Sequence, residues 1–123
     1  MASSSEPKIY AFKAAAAMAA YVAVKTGADQ DHVAICSAAS DLSIGIIQNA
    51  PTAADGVAEV ALPGGGAKAK LGAGGAAVGQ MLVPDSNGQL VVSTSNAARA
   101  IAVAMQTGVE NDVIGVEVIA QII

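Results

Sequence analysis

A strand–turn–strand pattern occurs twice in this 123-residue chain, and it limits the possible folds more than any other feature. The first copy runs Ser43-Ile44-Gly45-Ile46-Ile47-Gln48, a polar turn, then Val57-Ala58-Glu59-Val60-Ala61-Leu62. The second runs Ile101-Ala102-Val103-Ala104-Met105-Gln106, a polar turn, then Gly115-Val116-Glu117-Val118-Ile119. Slid by 58 residues without a gap, Ser37 meets Ser95, Gln48 meets Gln106, Glu59 meets Glu117 and Val60 meets Val118. Neither copy carries a reactive side chain. Two β units of nearly equal length, with no chemistry in them, predict a scaffold for assembly rather than turnover.

The rest of the chain reads the same way. Residues 1–7 are a polar, Ser-rich leader ending in Pro7, expected as an extended arm that Lys8 completes. Residues 8–13 alternate weakly as a strand does. The alanine-rich stretch 14–20 favours helix by propensity but is too short to sustain one alone, so it reads as a helical turn or a loop. Strands are expected over 21–26, 32–37, 43–48, 57–62, 67–71, 81–83, 89–94, 100–106 and 113–122. Pro63-Gly64-Gly65-Gly66 and Gly72-Ala73-Gly74-Gly75 interrupt them, and Asp85-Ser86-Asn87-Gly88 is a hairpin signal. Strands at this spacing predict an all-β fold, a small compact barrel or sandwich with an extended N-terminal arm and little helix. The domain division is an arm over 1–8 and one β-rich domain over 9–123.

Composition restricts the function. The chain is 54% hydrophobic, yet its aromatics are only Tyr10, Phe12 and Tyr21. A core of Ala, Val and Ile buries little per residue, which makes added burial through a partner or oligomer useful. Six basic residues, Lys8, Lys13, Lys25, Lys68, Lys70 and Arg99, are scattered against ten acidic ones. Nucleic-acid binding needs a clustered basic footprint, so no nucleic-acid partner is expected. The longest apolar run, over 14–24, has 11 residues where a spanning helix needs about 20, so no membrane partner is expected either. The N-terminus lacks the basic and apolar regions of a signal peptide, which fits synthesis in a cytoplasm.

Candidate chemistry is sparse. The loop around Gly72-Ala73-Gly74-Gly75 fits a loose dinucleotide pattern, but Gly79 and Pro84 forbid the helix that must follow it. His32 and Cys36, four positions apart on one strand, are the only imidazole and thiol. A structural zinc site needs four ligands, so no metal is expected, and Cys36 reads as a buried, inert thiol. Asp55 and Asp112 occupy corresponding turns and read as turn formers. No catalytic residue and no cofactor is expected.

Taken in order, the segments resemble the capsid decoration, or cement, proteins of tailed bacteriophages. The match is carried by Tyr21-Val22-Ala23-Val24-Lys25, Ser43-Ile44-Gly45-Ile46 and Val60-Ala61-Leu62-Pro63-Gly64. It continues through Val78-Gly79-Gln80-Met81-Leu82-Val83-Pro84-Asp85 with Asn87-Gly88, then Ala100-Ile101-Ala102-Val103-Ala104, and ends on Asp112-Val113-Ile114-Gly115-Val116-Glu117-Val118. Ala102 stands where the family usually has Gly, and Asn111 replaces the Gly before Asp. The resemblance implies a non-enzymatic protein of the virion, made in the bacterial host cytoplasm and bound to the outer capsid surface. It further implies homotrimers near local threefold axes that cement the phage major capsid protein. On that reading the expected capsid contacts are Ser5, Lys8, Ile9, Tyr10 and Phe12. The expected subunit contacts are Glu59, Lys68, Lys70, Arg99 and Glu117. An alternative from the same features is a β-rich fibre or receptor-binding module of a virion.

Overall fold

The computed structural model describes residues 8–27, 29, 31–38, 41–93 and 100–119. Ten strands follow in chain order: β1 (Ile9–Ala14), β2 (Ala23–Thr26), β3 (His32–Ile35), β4 (Ser43–Ile47) and β5 (Val57–Ala61), then β6 (Gly66–Lys70), β7 (Met81–Pro84), β8 (Leu90–Val92), β9 (Ala102–Ala104) and β10 (Val113–Val118). The fold is all-β, and there is no helix among the described residues. Alanine propensity loses to context over 14–20: Ala14 ends β1, and bends, irregular backbone and a turn follow. Turn residues end some of the strands. Asp85 Oδ1, for instance, accepts the N–H groups of Asn87 at 2.8 Å and Gln89 at 3.0 Å, closing the β7–β8 turn around Gly88 at φ +76°.

The first five strands form a closed barrel in the order β1-β3-β2-β4-β5, with β5 returning to β1. The second five form a sheet in the order β6-β10-β9-β7-β8. These are one topology used twice. The pairs β1·β5, β2·β3, β2·β4 and β4·β5 recur as β6·β10, β7·β8, β7·β9 and β9·β10, all antiparallel. Even the parallel pairing of β1 with β3, Ala14 opposite Val33, returns as a bridge from Leu71 to Leu90. The duplication therefore extends over all ten described strands, and repeat 1 (β1–β5) maps onto repeat 2 (β6–β10).

The registers correct the offset expected from the sequence. They place Ala14 on Leu71 and Ile46 on Val103, 57 residues apart, Val24 on Leu82 at 58, and Val60 on Val116 at 56. Glu59 thus corresponds to Gly115, not to Glu117. Backbone conformation gives independent support. Tyr21 and its counterpart Gly79 are both left-handed, at φ 69° and 89°, and so are Asp55 and its counterpart Asn111, at 65° and 73°. The side-chain amide of Asn49 accepts the Glu59 N–H at 2.8 Å, and Gln106 accepts the Gly115 N–H at 2.6 Å.

The repeats differ at one seam. In repeat 1 the Lys13 N–H donates directly to the Asp31 carbonyl at 2.8 Å, which closes the barrel between β1 and β3. In repeat 2 the equivalent atoms stand apart. The Lys70 N–H donates to the Tyr21 carbonyl and the Gly88 carbonyl accepts from the Ala23 N–H, both at 2.8 Å. The entry to β2 of repeat 1 is thus wedged into the seam of repeat 2. Gly88 permits this approach: a Cβ there would stand 2.6 Å from Cγ2 of Ile35 and 3.2 Å from the Ala23 carbonyl oxygen.

Packing follows the same division. One cluster, with Val24, Val33, Ile47 and Val60, fills the repeat 1 barrel. The other joins Ala23, Cys36, Ile46 and Ala61 of repeat 1 to Leu71, Leu82, Leu90, Ile101 and Val116 of repeat 2. Burying each such Val, Leu or Ile contributes roughly 1.5–3 kcal/mol, so the shared cluster binds the repeats strongly. No buried side-chain polar atom lacks a partner among the described residues.

Candidate functional site

The two repeats meet along a groove of about 640 Å3. Ile9 and Glu59 of repeat 1 form one wall, Lys68 and Met105 of repeat 2 line the other, and Tyr21 and Gln48 sit at the joint. Its floor is open because Gly66 and Gly115 occupy the positions that Ile9 and Glu59 hold in repeat 1. Gln48 fixes the joint with both ends of its amide. Nε2–H donates to the Lys68 carbonyl at 3.0 Å, and Oε1 accepts the Lys68 N–H at 3.1 Å. This imitates a strand pairing with a side chain.

A second open groove, of about 440 Å3, runs along the closed seam of repeat 1. Tyr10, Ala11, Phe12 and Lys13 of β1 line it with Asp31 and Val57. Tyr10 is 64% and Val57 59% exposed. Alternation puts Tyr10 and Phe12 on one face of β1, where their rings lie 6.2 Å apart at a 45° tilt.

Three of the described side chains that could carry chemistry, His32, Asp41 and Cys36, are engaged in structure. His32 is clamped between two carboxylates: Asp29 Oδ1 lies 2.8 Å from Nδ1 and Asp55 Oδ1 2.6 Å from Nε2. Donation of a ring N–H to Asp29, then of the other to Asp55, raises the imidazole above its ordinary pKa, and accepting from His32 lowers Asp29. Both ring nitrogens are occupied, so neither is presented to a metal or a substrate. Asp41 receives the Ser37 N–H at 2.8 Å and the Lys25 ammonium at 3.1 Å, which hold its carboxyl below the usual range. Cys36 is fully enclosed, and burial pushes its thiol up to about 11. Such a thiol is neither a nucleophile nor a ligand at neutral pH. Among the described residues no group of three or more His, Cys, Asp or Glu side chains is placed to hold a metal.

The expected contact residues are distributed unevenly. Lys8, Ile9 and Tyr10 are exposed at the start of β1, whereas Phe12 is half-buried and packs against the repeat 1 core. Glu59 and Lys68, expected as subunit contacts, line the inter-repeat groove together with Ile9, expected as a capsid contact. Lys70 and Glu117 are half-buried on the strands that pair as β6 and β10. Ser5 and Arg99 lie outside the described residues, as does most of the arm. Asp112 behaves as a turn former, its Oδ2 accepting the Val109 N–H at 3.0 Å. Asp55 takes the left-handed turn position, but its carboxylate goes to His32 rather than into its own turn. Sequence reasoning missed Val57, Val78, Met81 and Met105, which are exposed apolar residues at strand ends or in turns. Their apolar character at positions where alternation predicts solvent was the available signal.

No protein-family model matches the chain, and no curated protein matches it. Among solved structures the fold is similar to that of the N base of the head fiber protein gp8.5 of bacteriophage phi29. The TM-score is 0.71 at 14% identity, over 94% of this chain and 97% of that one. At this identity the likeness is one of fold, and it extends over both repeats.

Proposed function

We propose that the chain is a non-enzymatic structural protein of a tailed-phage head. It binds the outer surface of the capsid as trimers near local threefold axes and cements major capsid protein subunits together. The observation that carries this reading is the end-to-end likeness of fold to a head-fibre base. Two further features support it. The ordered segments resemble decoration proteins, and the apolar side chains Ile9, Tyr10 and Val57 stand exposed on β1 and β5, where a protein surface would cover them. The protein's place is then the virion exterior, after synthesis in the host cytoplasm.

Purified chain added to expanded heads that lack it should give density over the outer capsid lattice in cryo-electron microscopy. Heads without it should release their DNA at lower temperature. Absence of binding, or binding that leaves head stability unchanged, would sink the cement reading. Deleting residues 1–8 should leave the fold intact and lower occupancy on heads; unchanged occupancy removes the arm from the contact. A second reading, a fibre or receptor-binding module, draws on the same likeness, because that neighbour is a fibre base. Density at a vertex or tail instead of across the lattice would select it.

A further inference from the structure

We propose that copies of this chain associate head to tail, repeating between molecules the joint that already holds the two repeats together. The internal joint has a socket and a plug. The socket is the seam of repeat 2, where Lys70 N–H and Gly88 C=O receive the plug. The plug is Tyr21-Val22-Ala23 of repeat 1. Because the fold is duplicated, each part exists a second time on the same molecule.

The second socket is the seam of repeat 1, at Lys13 and Asp31, the residues that correspond to Lys70 and Gly88. It lies in the open groove of about 440 Å3 bordered by Tyr10 and Val57. The second plug is Gly79-Gln80-Met81. All three residues are exposed, and Val78 beside them is 61% exposed. Both segments open on a left-handed residue, Gly79 at φ 89° where Tyr21 is at 69°. An intrachain interface thus specifies the occupant of both surfaces, which is another copy of the chain.

Docking exchanges one backbone hydrogen bond for two. The Lys13 N–H leaves the Asp31 carbonyl and donates to the Gly79 carbonyl of the incoming copy, and that copy's Met81 N–H donates to Asp31. The contact is looser than the internal one in one respect. Asp31 carries a Cβ where the filled socket has Gly88, so the incoming strand sits further out; Val92, in the Ile35 position of the plug side, is the smaller residue. Association is accordingly expected at high protein concentration or when a surface aligns the copies. Each molecule has one socket and one plug, so the contact is heterologous, and copies close into a ring if the rotation permits. The contact supplies surfaces for the self-association proposed for the capsid-bound trimer and does not depend on capsid binding.

Cross-linking between full-length variants tests it. In the filled joint the Val22 Cβ lies 3.2 Å from a Cβ built on Gly88, close to disulfide range. The intermolecular counterparts are Gln80 and Asp31. Gln80→Cys and Asp31→Cys chains, mixed under mild oxidation, should form a mixed disulfide at least tenfold faster than either chain alone. The reaction is read both in concentrated free protein and on heads, with circular dichroism confirming the fold; the enclosed Cys36 does not compete. A mixed disulfide in either setting supports the contact. Its absence from both, or like-with-like dimers at equal rate, overturns it. Failure to bind heads would instead overturn the capsid reading and leave the free-protein result standing.

Discussion

Gly45 and Ala102 occupy equivalent positions in β4 and β9, and exchanging them is expected to destabilise the protein in both directions. A Cβ on Gly45 would fall onto the carbonyl oxygen of Ala61, with Cγ1 of Val60 at 2.8 Å and the Ala61 carbonyl carbon at 3.1 Å. These are atoms of β5, which is held on one side by β4 and on the other by β1, so the barrel has no slack to yield. Overpacking of this kind costs about 1–3 kcal/mol. The stiffer unfolded chain offsets about 0.4–1 kcal/mol of it. Gly45→Ala should therefore lose about 1–2 kcal/mol, which in a chain of this size lowers Tm by roughly 4–8 °C. In repeat 2 the methyl of Ala102 is fully buried, opposite Val118. Ala102→Gly gives up about 0.8 kcal/mol of methyl burial and about 0.5–1 kcal/mol of backbone entropy. Urea titration should show both losses as lower midpoints with an unchanged slope. A Gly45→Ala protein within a degree of wild type would refute the close approach of β4 and β5 as the reason glycine is needed.

The His32 clamp gives a pH dependence with a definite sign. Its raised pKa means that the stability it contributes is fully present below the ordinary histidine value of 6.5 and is lost as pH rises through the raised one. Asp29, lowered from 3.8, contributes stability that disappears as pH falls through its depressed value. The urea midpoint should therefore fall at both ends, and His32→Gln, which copies Gln89 of repeat 2, should flatten the alkaline limb. An alkaline limb unchanged in that variant would show the clamp contributes nothing. Cys36, with its thiol pushed up to about 11 and no exposed surface, should resist thiol reagents at pH 8 until the protein is unfolded. Fast labelling of the native protein would contradict that enclosure.

The strands were legible because their ends are written in residues with a physical reason to break a ladder. Pro63, Gly64, Gly65 and Asp85-Ser86-Asn87-Gly88 mark boundaries the structure keeps, whereas Gly66, expected within the break, opens β6 because it pairs with Glu117 of β10. Expected strand ends run long, as at 43–48 against Ser43–Ile47 and 57–62 against Val57–Ala61, since alternation does not say where hydrogen bonding stops. The duplication was visible but out of frame. Loops differ by single residues between repeats, so chance identities such as Glu59 with Glu117 outweighed true equivalents such as Asn49 with Gln106, whose shared feature is one amide oxygen on one backbone N–H. The first three strands of each repeat were not seen to correspond at all. What they share is pairing and a left-handed residue, Tyr21 in one and Gly79 in the other, and those two side chains have nothing in common. The wedge of Tyr21–Ala23 in the repeat 2 seam had no signature, because it depends on which of two like seams opens. His32 pairs by sequence with Cys36 on one strand and has Asp29 three residues before it, but its second partner, Asp55, is 23 residues away and has no local signal.

That wedge also orders the making of the molecule. Repeat 1 completes its ring of strands from its own residues, whereas repeat 2 completes its seam only by borrowing backbone from a segment synthesised earlier. A ribosome delivers the lender before the borrower, so the first barrel can serve as the template on which the second condenses. Hydrogen exchange during refolding should protect β2 and β4 amides no later than those of β7 and β9. Earlier protection of β7 and β9 would reverse the sequence. A circular permutant that starts at β6 would deliver the borrower before the lender, and its repeat 2 should become protease-resistant during synthesis only after repeat 1 has emerged.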